Sequence, residues 1–123
     1  MDEVSLKIVI RCADLGASRA FYADVLGLPV VDEWQEAHGN GCVFAVGSSA
    51  IELGQARDGD DAGAQQRIDV VIGVPHLDAW IIRIDGKWKH GEPKVHPWGE
   101  RTVRMRDPDG VLLTIYESTA ESS

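Results

Sequence analysis

The chain has 123 residues, 20 acidic and 12 basic, for a formal net charge of −8. That is the length of one domain with a core of its own, and the negative field excludes nucleic acid and anionic lipid as natural partners while favouring cationic ligands. The two cysteines, Cys12 and Cys42, lie in separate apolar runs with no C-x-x-C spacing, so buried thiols are expected, with a disulfide left open. The N-terminus lacks the basic and apolar regions of a signal peptide, and no apolar run approaches the ~18 residues that span a bilayer, so a soluble cytoplasmic protein is expected.

Residues 4–12 alternate with period two: Leu6, Ile8, Ile10 and Cys12 on one face, Lys7, Val9 and Arg11 on the other. This predicts a half-buried strand. Asp14 offers an N-cap for a helix over 15–26, with Ala17, Ala20, Phe21 and Val25 as its apolar stripe and Gly27 as its stop. Strands are predicted over 29–36, 41–46 and 50–56, with Gly39-Asn40-Gly41 as a hairpin turn. Residues 57–67, including Asp58, Asp60 and Asp61, hold little to bury and read as an exposed linker. The order then repeats: a strand over 69–74, a helix over 76–85, and strands over 93–97, 101–107 and 111–117, the last two joined by Asp107-Pro108-Asp109-Gly110.

A shift of 62 residues superposes the halves. Ile8 and Ile10 fall on Val70 and Ile72, Leu15 on Leu77, and Ile51 and Leu53 on Leu113 and Ile115. One offset serves the opening and closing strands, which argues for two copies of one βαβββ unit. The organisation expected is one domain, 1–123: module one 4–56, linker 57–67, module two 68–117 and tail 118–123.

The segment Asp14-Leu15 through Ser18, Phe21-Tyr22 and Leu26-Gly27-Leu28 resembles the D-L-x-x-S-x-x-F-Y-x-x-x-L-G-[LF] helix of the vicinal-oxygen-chelate superfamily, which holds glyoxalases, bleomycin-resistance proteins and dioxygenases. The D-P-D-G turn at 107–110 resembles the one before that family's last strand. The resemblance implies an α+β fold in which two βαβββ modules form a curved mixed sheet around a concave cleft. It says little about reaction, because the fold hosts several.

Metal-dependent members draw four ligands from the first and last strands of each module. These positions correspond to Lys7, Glu52, Asp69 and Thr114. Lys and Thr are poor ligands for zinc, nickel or iron. An ammonium ~4 Å from a divalent cation is repelled by about 8 kcal/mol at an effective dielectric of about 20. No metal and no other cofactor are therefore expected, and Lys7 is expected to pair with a carboxylate. The run His96-Pro97-Trp98-Gly99-Glu100-Arg101, followed by Arg106-Asp107-Pro108-Asp109-Gly110, resembles bleomycin-resistance-like proteins, which bind antibiotics without a catalytic metal and commonly as dimers.

The candidate ligand-binding residues are Trp98, Trp34, Glu52, Asp69, Lys7, Phe44, Arg101, Thr114 and Tyr116. Each has a structural alternative. Trp98 either stacks on a ligand or caps the core beside a turn, and Trp34 either stacks or fills sheet surface. Phe44 lines a pocket or belongs to the core. Tyr116 shares parity with Thr114 and offers a phenol to a cavity or an ordinary cross-strand contact. Glu52 accepts a ligand cation, acts as a base, or pairs with Lys7. Arg101 orients Trp98 or touches ligand. Trp80 is expected in the core and Trp88 as a surface anchor. No catalytic triad, P-loop or dinucleotide fingerprint is present in the sequence. The function these residues point to is metal-independent sequestration of a small natural product or antibiotic by a homodimer. The alternative is a divergent glyoxalase-, epimerase- or dioxygenase-like enzyme using Glu52.

Overall fold

A computed structural model describes residues 6–37, 39–56 and 69–118, with Ser118 described for its backbone alone. The predicted start of the first strand at residues 4 and 5, His38, the linker 57–67 and the end of the tail at 119–123 lie outside these residues. The chain separates into two compact units, Met1–Gln65 and Gln66–Ser123.

The first unit runs β1 (Lys7–Cys12), α1 (Leu15–Ala20) continued by a π-helical segment (Phe21–Val25), β2 (Val30–Glu36), β3 (Gly39–Val46) and β4 (Ser49–Gln55). Its sheet order is β1-β4-β3-β2, with β1 parallel to β4 and the other pairs antiparallel. The second unit repeats this with β5 (Val70–Gly73), α2 (Leu77–Ile84), β6 (Lys94–Val95), β7 (Glu100–Arg106) and β8 (Leu112–Ser118), in the order β5-β8-β7-β6. Both units are therefore βαβββ, and the fold is α+β.

The offset of 62 persists at the level of hydrogen-bonded register. Ile8 pairs with Ile51 and Ile10 with Leu53; Val70 pairs with Leu113 and Ile72 with Ile115. All eight are core-facing, and all but Ile8 are buried. Alternation in parallel-paired strands puts one face of each sheet under its helix and leaves the other open.

The two helix starts share one hydrogen bond and differ in another: Asp14 caps α1, whereas His76 makes no side-chain cap at α2. Asp14 Oδ1 accepts from the Ala17 N–H at 3.1 Å, as an N-cap should. The Leu15 N–H donates to Gln55 Oε1 at 2.9 Å, and the Leu77 N–H donates to Glu117 Oε1 at 2.6 Å. Gln55 and Glu117 are again 62 apart, so the end of the closing strand anchors the start of each helix.

Three expectations are corrected. The buried stripe of the first helix is Ser18, Phe21, Tyr22, Val25 and Leu26, with Ala17 and Ala20 exposed. The i→i+5 bond from the Leu26 N–H to the Phe21 carbonyl, 3.1 Å, widens the helix so that the consecutive rings of Phe21 and Tyr22 both turn inward. The rings meet edge to face at 5.0 Å. Second, Gly39-Asn40-Gly41 belongs to β3 rather than to a turn, with Gly41 registered opposite Trp34. A Cβ on Gly41 would collide with the Trp34 ring and lie 2.7 Å from the Leu53 carbonyl oxygen, so this glycine makes room for an indole. Third, Trp80 is half-buried, with the Arg83 guanidinium 5.2 Å from its ring centroid, and is not a core residue.

The predicted stop and turn are in place. Gly27 ends the helix at φ +73°. Asp107 is 4% exposed, and its Oδ1 accepts from the Asp109 and Val111 N–H groups at 2.8 and 2.9 Å. That Asx arrangement is the reason an aspartate opens this turn. Cys12 and Cys42 are buried thiols, not joined in a disulfide.

Candidate functional site

The open face of the first sheet gathers Lys7, Val9 and Arg11 from β1, Glu52 and Gly54 from β4, and Trp34 from β2. Gly41 and Gly54 are registered side by side beneath this end of the face. A cavity of about 200 Å³ is lined there by Arg11, Trp34, Glu36, Glu52 and Gly54, among others. Trp34 is thus half-buried on a floor of glycines, with charged groups beside it.

Lys7 Nζ lies 2.8 Å from Glu52 Oε1. The pair is partly exposed and contributes little to stability, but it decides the chemistry of these positions. A carboxylate already neutralised by an ammonium cannot be drawn onto a divalent cation without displacing that ammonium. Of the residues expected at metal-ligand positions, Lys7 and Thr114 are of types that do not fit a transition metal. Among the described residues no group of three or more His, Cys, Asp or Glu could hold a metal ion.

The open face of the second sheet is built differently. Thr114 is registered opposite Val71 and Arg104, and Tyr116 opposite Gly73 and Thr102. The Tyr116 ring lies over Gly73, where a Cβ would come within 2.9 Å of Cζ and Oη. Asp69 is exposed, two residues before Val71 on the same face. His96 is 8% exposed, and its Nε2 lies 3.0 Å from Thr102 Oγ1. The Trp98 indole stacks on the His96 ring at 4.5 Å with 14° between planes, and donates Nε1–H to Glu100 Oε1 at 3.0 Å. Trp98 itself is 65% exposed. The result is a rigid indole with one face covered, its only donor used, and its other face open to solvent.

Two expected ligand residues face the other way. Phe44 is 0% exposed on the helix side of its sheet, 5.8 Å from the Tyr22 ring, and belongs to the core. Arg101 shares the helix-side parity of Val103; its Nη2 lies 2.8 Å from Asp78 Oδ1 and 3.9 Å from Glu117 Oε1. It secures α2 to the sheet and does not orient Trp98, whose partners are His96 and Glu100. Trp88 donates its indole N–H to the Arg106 carbonyl at 2.7 Å, tying the segment after α2 to β7.

His96 is the site residue that the sequence reading left out. It shares with Trp98 a turn closed by the Gly99 N–H on the His96 carbonyl at 3.0 Å, whose sequence sign is Pro97 and Gly99. What sequence could not supply was the cross-strand Thr102 that fixes its ring.

The profile of the Glyoxalase/Bleomycin resistance protein/Dioxygenase superfamily matches residues 5–115. The chain belongs to that superfamily. Within it, the chain is 29% identical over 125 residues to the uncharacterized protein YraH of Bacillus subtilis (strain 168), covering 91% of this chain and 96% of YraH. Among solved structures, TnmS3, an antibiotic binding protein from Streptomyces sp. CB03234, superposes with a TM-score of 0.77 at 20% identity, covering 96% of this chain and 97% of TnmS3. A lactoylglutathione lyase from Agrobacterium tumefaciens superposes with a TM-score of 0.68 at 21% identity, covering 95% of each chain. Proteins of similar fold thus include a binder and an enzyme, and the residues of the site must carry the distinction. Among the described residues no helix is long and apolar enough to cross a membrane.

Proposed function

We propose that this protein binds and sequesters a small, planar, cationic natural product of the antibiotic type, without a metal and without turnover. The observation that carries the reading is the Trp98 indole: exposed on one face, backed by buried His96 on the other, with its N–H held by Glu100. Such a surface offers a preorganised π face and no free donor, which suits stacking by a flat ring or a cation. Trp34 on its glycine floor offers a second indole. Glu52, Asp69 and the net charge of −8 favour a cationic ligand. Thr114 and Tyr116 supply hydroxyl groups, and Lys7 holds Glu52 in place.

The Lys7–Glu52 pair supports binding over metal-assisted catalysis, since it engages the Glu52 carboxylate. A metal-free enzyme using Glu52 as base would require that carboxylate to leave Lys7 on binding substrate. We also propose that the protein acts as a two-fold dimer. Among the described residues β1 and β2 are the edges of the first sheet and β5 and β6 those of the second, and sheet edges invite further pairing. Light scattering at micromolar concentration should give about twice 13.4 kDa, and a monomer mass alone would refute the dimer.

The test is a tryptophan-fluorescence screen against polycyclic cationic antibiotics, repeated with Trp98→Ala. Saturable quenching that weakens roughly 5- to 150-fold in the variant supports the proposal, the loss expected for a large aromatic contact. Equal affinity in both proteins, with a large drop in the variant's stability, would make Trp98 structural.

A further inference from the structure

A second cavity in the first unit is not confined to the open face. It extends to the helix side around the end of the sheet, has a volume of about 620 Å³, and is lined by the start of α1, by Glu33, Gln35, Asn40 and Cys42 on that side, and by Trp34 and Gly41 from the other face. That volume falls within the roughly 300–1,000 Å³ of small-molecule sites. Its polar groups divide into two sets. Arg19 and Glu33 are hydrogen-bonded to each other through Nε and Oε2, and this bond holds the Glu33 carboxyl below the usual carboxylate range. They cancel in charge. Gln55 is fully engaged: its Nε2 donates to the Cys12 and Ala13 carbonyls at 3.1 and 2.8 Å while Oε1 accepts from Leu15.

Gln35 and Asn40 are different. They are registered directly opposite each other across the β2–β3 ladder, on the same side as Glu33 and Cys42. Both line the cavity, and neither side chain makes a hydrogen bond among the described residues. Two adjacent carboxamides present two N–H₂ donors and two carbonyl acceptors. Behind them the surface is neutral and largely apolar, from Leu15 and the buried Cys42 thiol, whose pKa burial pushes up.

We propose that this cavity is a second small-molecule site, which takes an uncharged ligand with an amide- or lactam-type edge and reads that edge through Gln35 and Asn40. Adjacent donor and acceptor on the ligand match adjacent donor and acceptor on each carboxamide. The cancelled Arg19–Glu33 pair and the protonated thiol give a charged ligand no counter-ion. The cavity shares Trp34, Asn40 and Gln55 with the one beside Glu52, but Gln35 and Asn40 have the parity of Glu33 and Cys42, opposite to that of Glu52, and the proposal does not rest on the function proposed above.

The experiment titrates full-length ¹⁵N-labelled protein with uracil, whose ring carries this edge twice, up to tens of millimolar. The spectrum resolves the side-chain amide groups of Gln35 and Asn40 and the backbone amide of Cys42. The expected result is saturable shifts at these three residues. 1,3-Dimethyluracil, which lacks the N–H donors, should bind at least about fivefold more weakly. In Gln35→Ala/Asn40→Ala, both exposed positions, the Cys42 shift should require at least about tenfold more uracil while the rest of the spectrum stays folded. Shifts that are absent, that do not saturate, or that are unchanged in the double variant or with the methylated probe would overturn the proposal. So would equal shifts from benzoate, a charged molecule without an N–H. None of these outcomes bears on binding at Trp98.

Discussion

The two units share a skeleton and differ in what they hang on it. At matched positions, Arg11 is registered opposite Gly54 in the first unit, and Gly73 opposite Tyr116 in the second. Each pair is one glycine and one large residue, but the large residue has changed strands: it comes from the opening strand in one unit and from the closing strand in the other. The neutral Gln55 cap has Glu117 as its counterpart, which is shared with Arg101. The first open face is charged around one indole; the second carries hydroxyl groups and a His–Trp stack. The inward faces keep their aliphatic register while the outward faces have diverged, as expected if the core constrains packing and the open faces answer to ligands.

Core substitutions should separate the units first. Phe21→Ala removes a fully buried ring that packs against Tyr22, and should cost about 3–5 kcal/mol by chemical denaturation. Leu77→Ala, at the aliphatic helix of the second unit, should cost about 2–4 kcal/mol. Equal costs would mean that the paired rings add nothing beyond their volume.

The exchanged pair gives the next largest effect. Gly73→Ala places a methyl 2.9 Å from the Tyr116 ring and should cost about 1–2 kcal/mol, with a change in the tyrosine near-ultraviolet signal. Gly54→Ala meets only the end of Arg11, at 3.2 Å, which can swing away; its stability should stay within about 0.5 kcal/mol of the parent. The reverse ranking would break the account of these glycines.

The smallest effect is a pH step confined to the second unit. His90 places Nδ1 2.8 Å from the Gly91 carbonyl and Nε2 3.3 Å from Asp85 Oδ1. Two acceptors are both satisfied only by the doubly protonated ring, and first the Gly91 carbonyl, then Asp85, raises its pKa above the usual value. A raised folded-state pKa gives stability that is complete below the unfolded value, about 6.5, and is lost as pH rises through the folded one. His90→Gln should abolish that step in denaturation midpoints measured from acid to neutral pH. A parent profile identical to the variant's would refute it.

Much of this was legible in the sequence. The offset of 62 survives as hydrogen-bonded register, because aliphatic residues at period two can bury only one way. Asp107, Asp14 and Gly27 were readable because each acts on its own neighbours. That Lys7 pairs with a carboxylate followed from the resemblance, which brought Lys7 together with Glu52 and Asp69; the structure pairs it with Glu52. The misses share a cause in non-local geometry. The face of Phe44 depends on the turn at Gly47 and Ser48, which pairs it with Ile51 rather than Glu52. The role of Gly41 depends on which residue lies across the ladder, and the Gln55 and Glu117 caps join residues 40 apart. The π-helical widening after Ala20 turns Tyr22 inward and has no local sequence sign.

The central claim is binding without a metal. It is tested most directly by measuring the affinity of one stacking ligand, found in the fluorescence screen, before and after exhaustive chelation, with elemental analysis of the same samples. The account predicts no stoichiometric transition metal, the same Kd in both, and ligand recovered chemically unchanged. About one zinc, nickel, manganese or iron per chain, lost in Glu52→Ala together with binding, would contradict it.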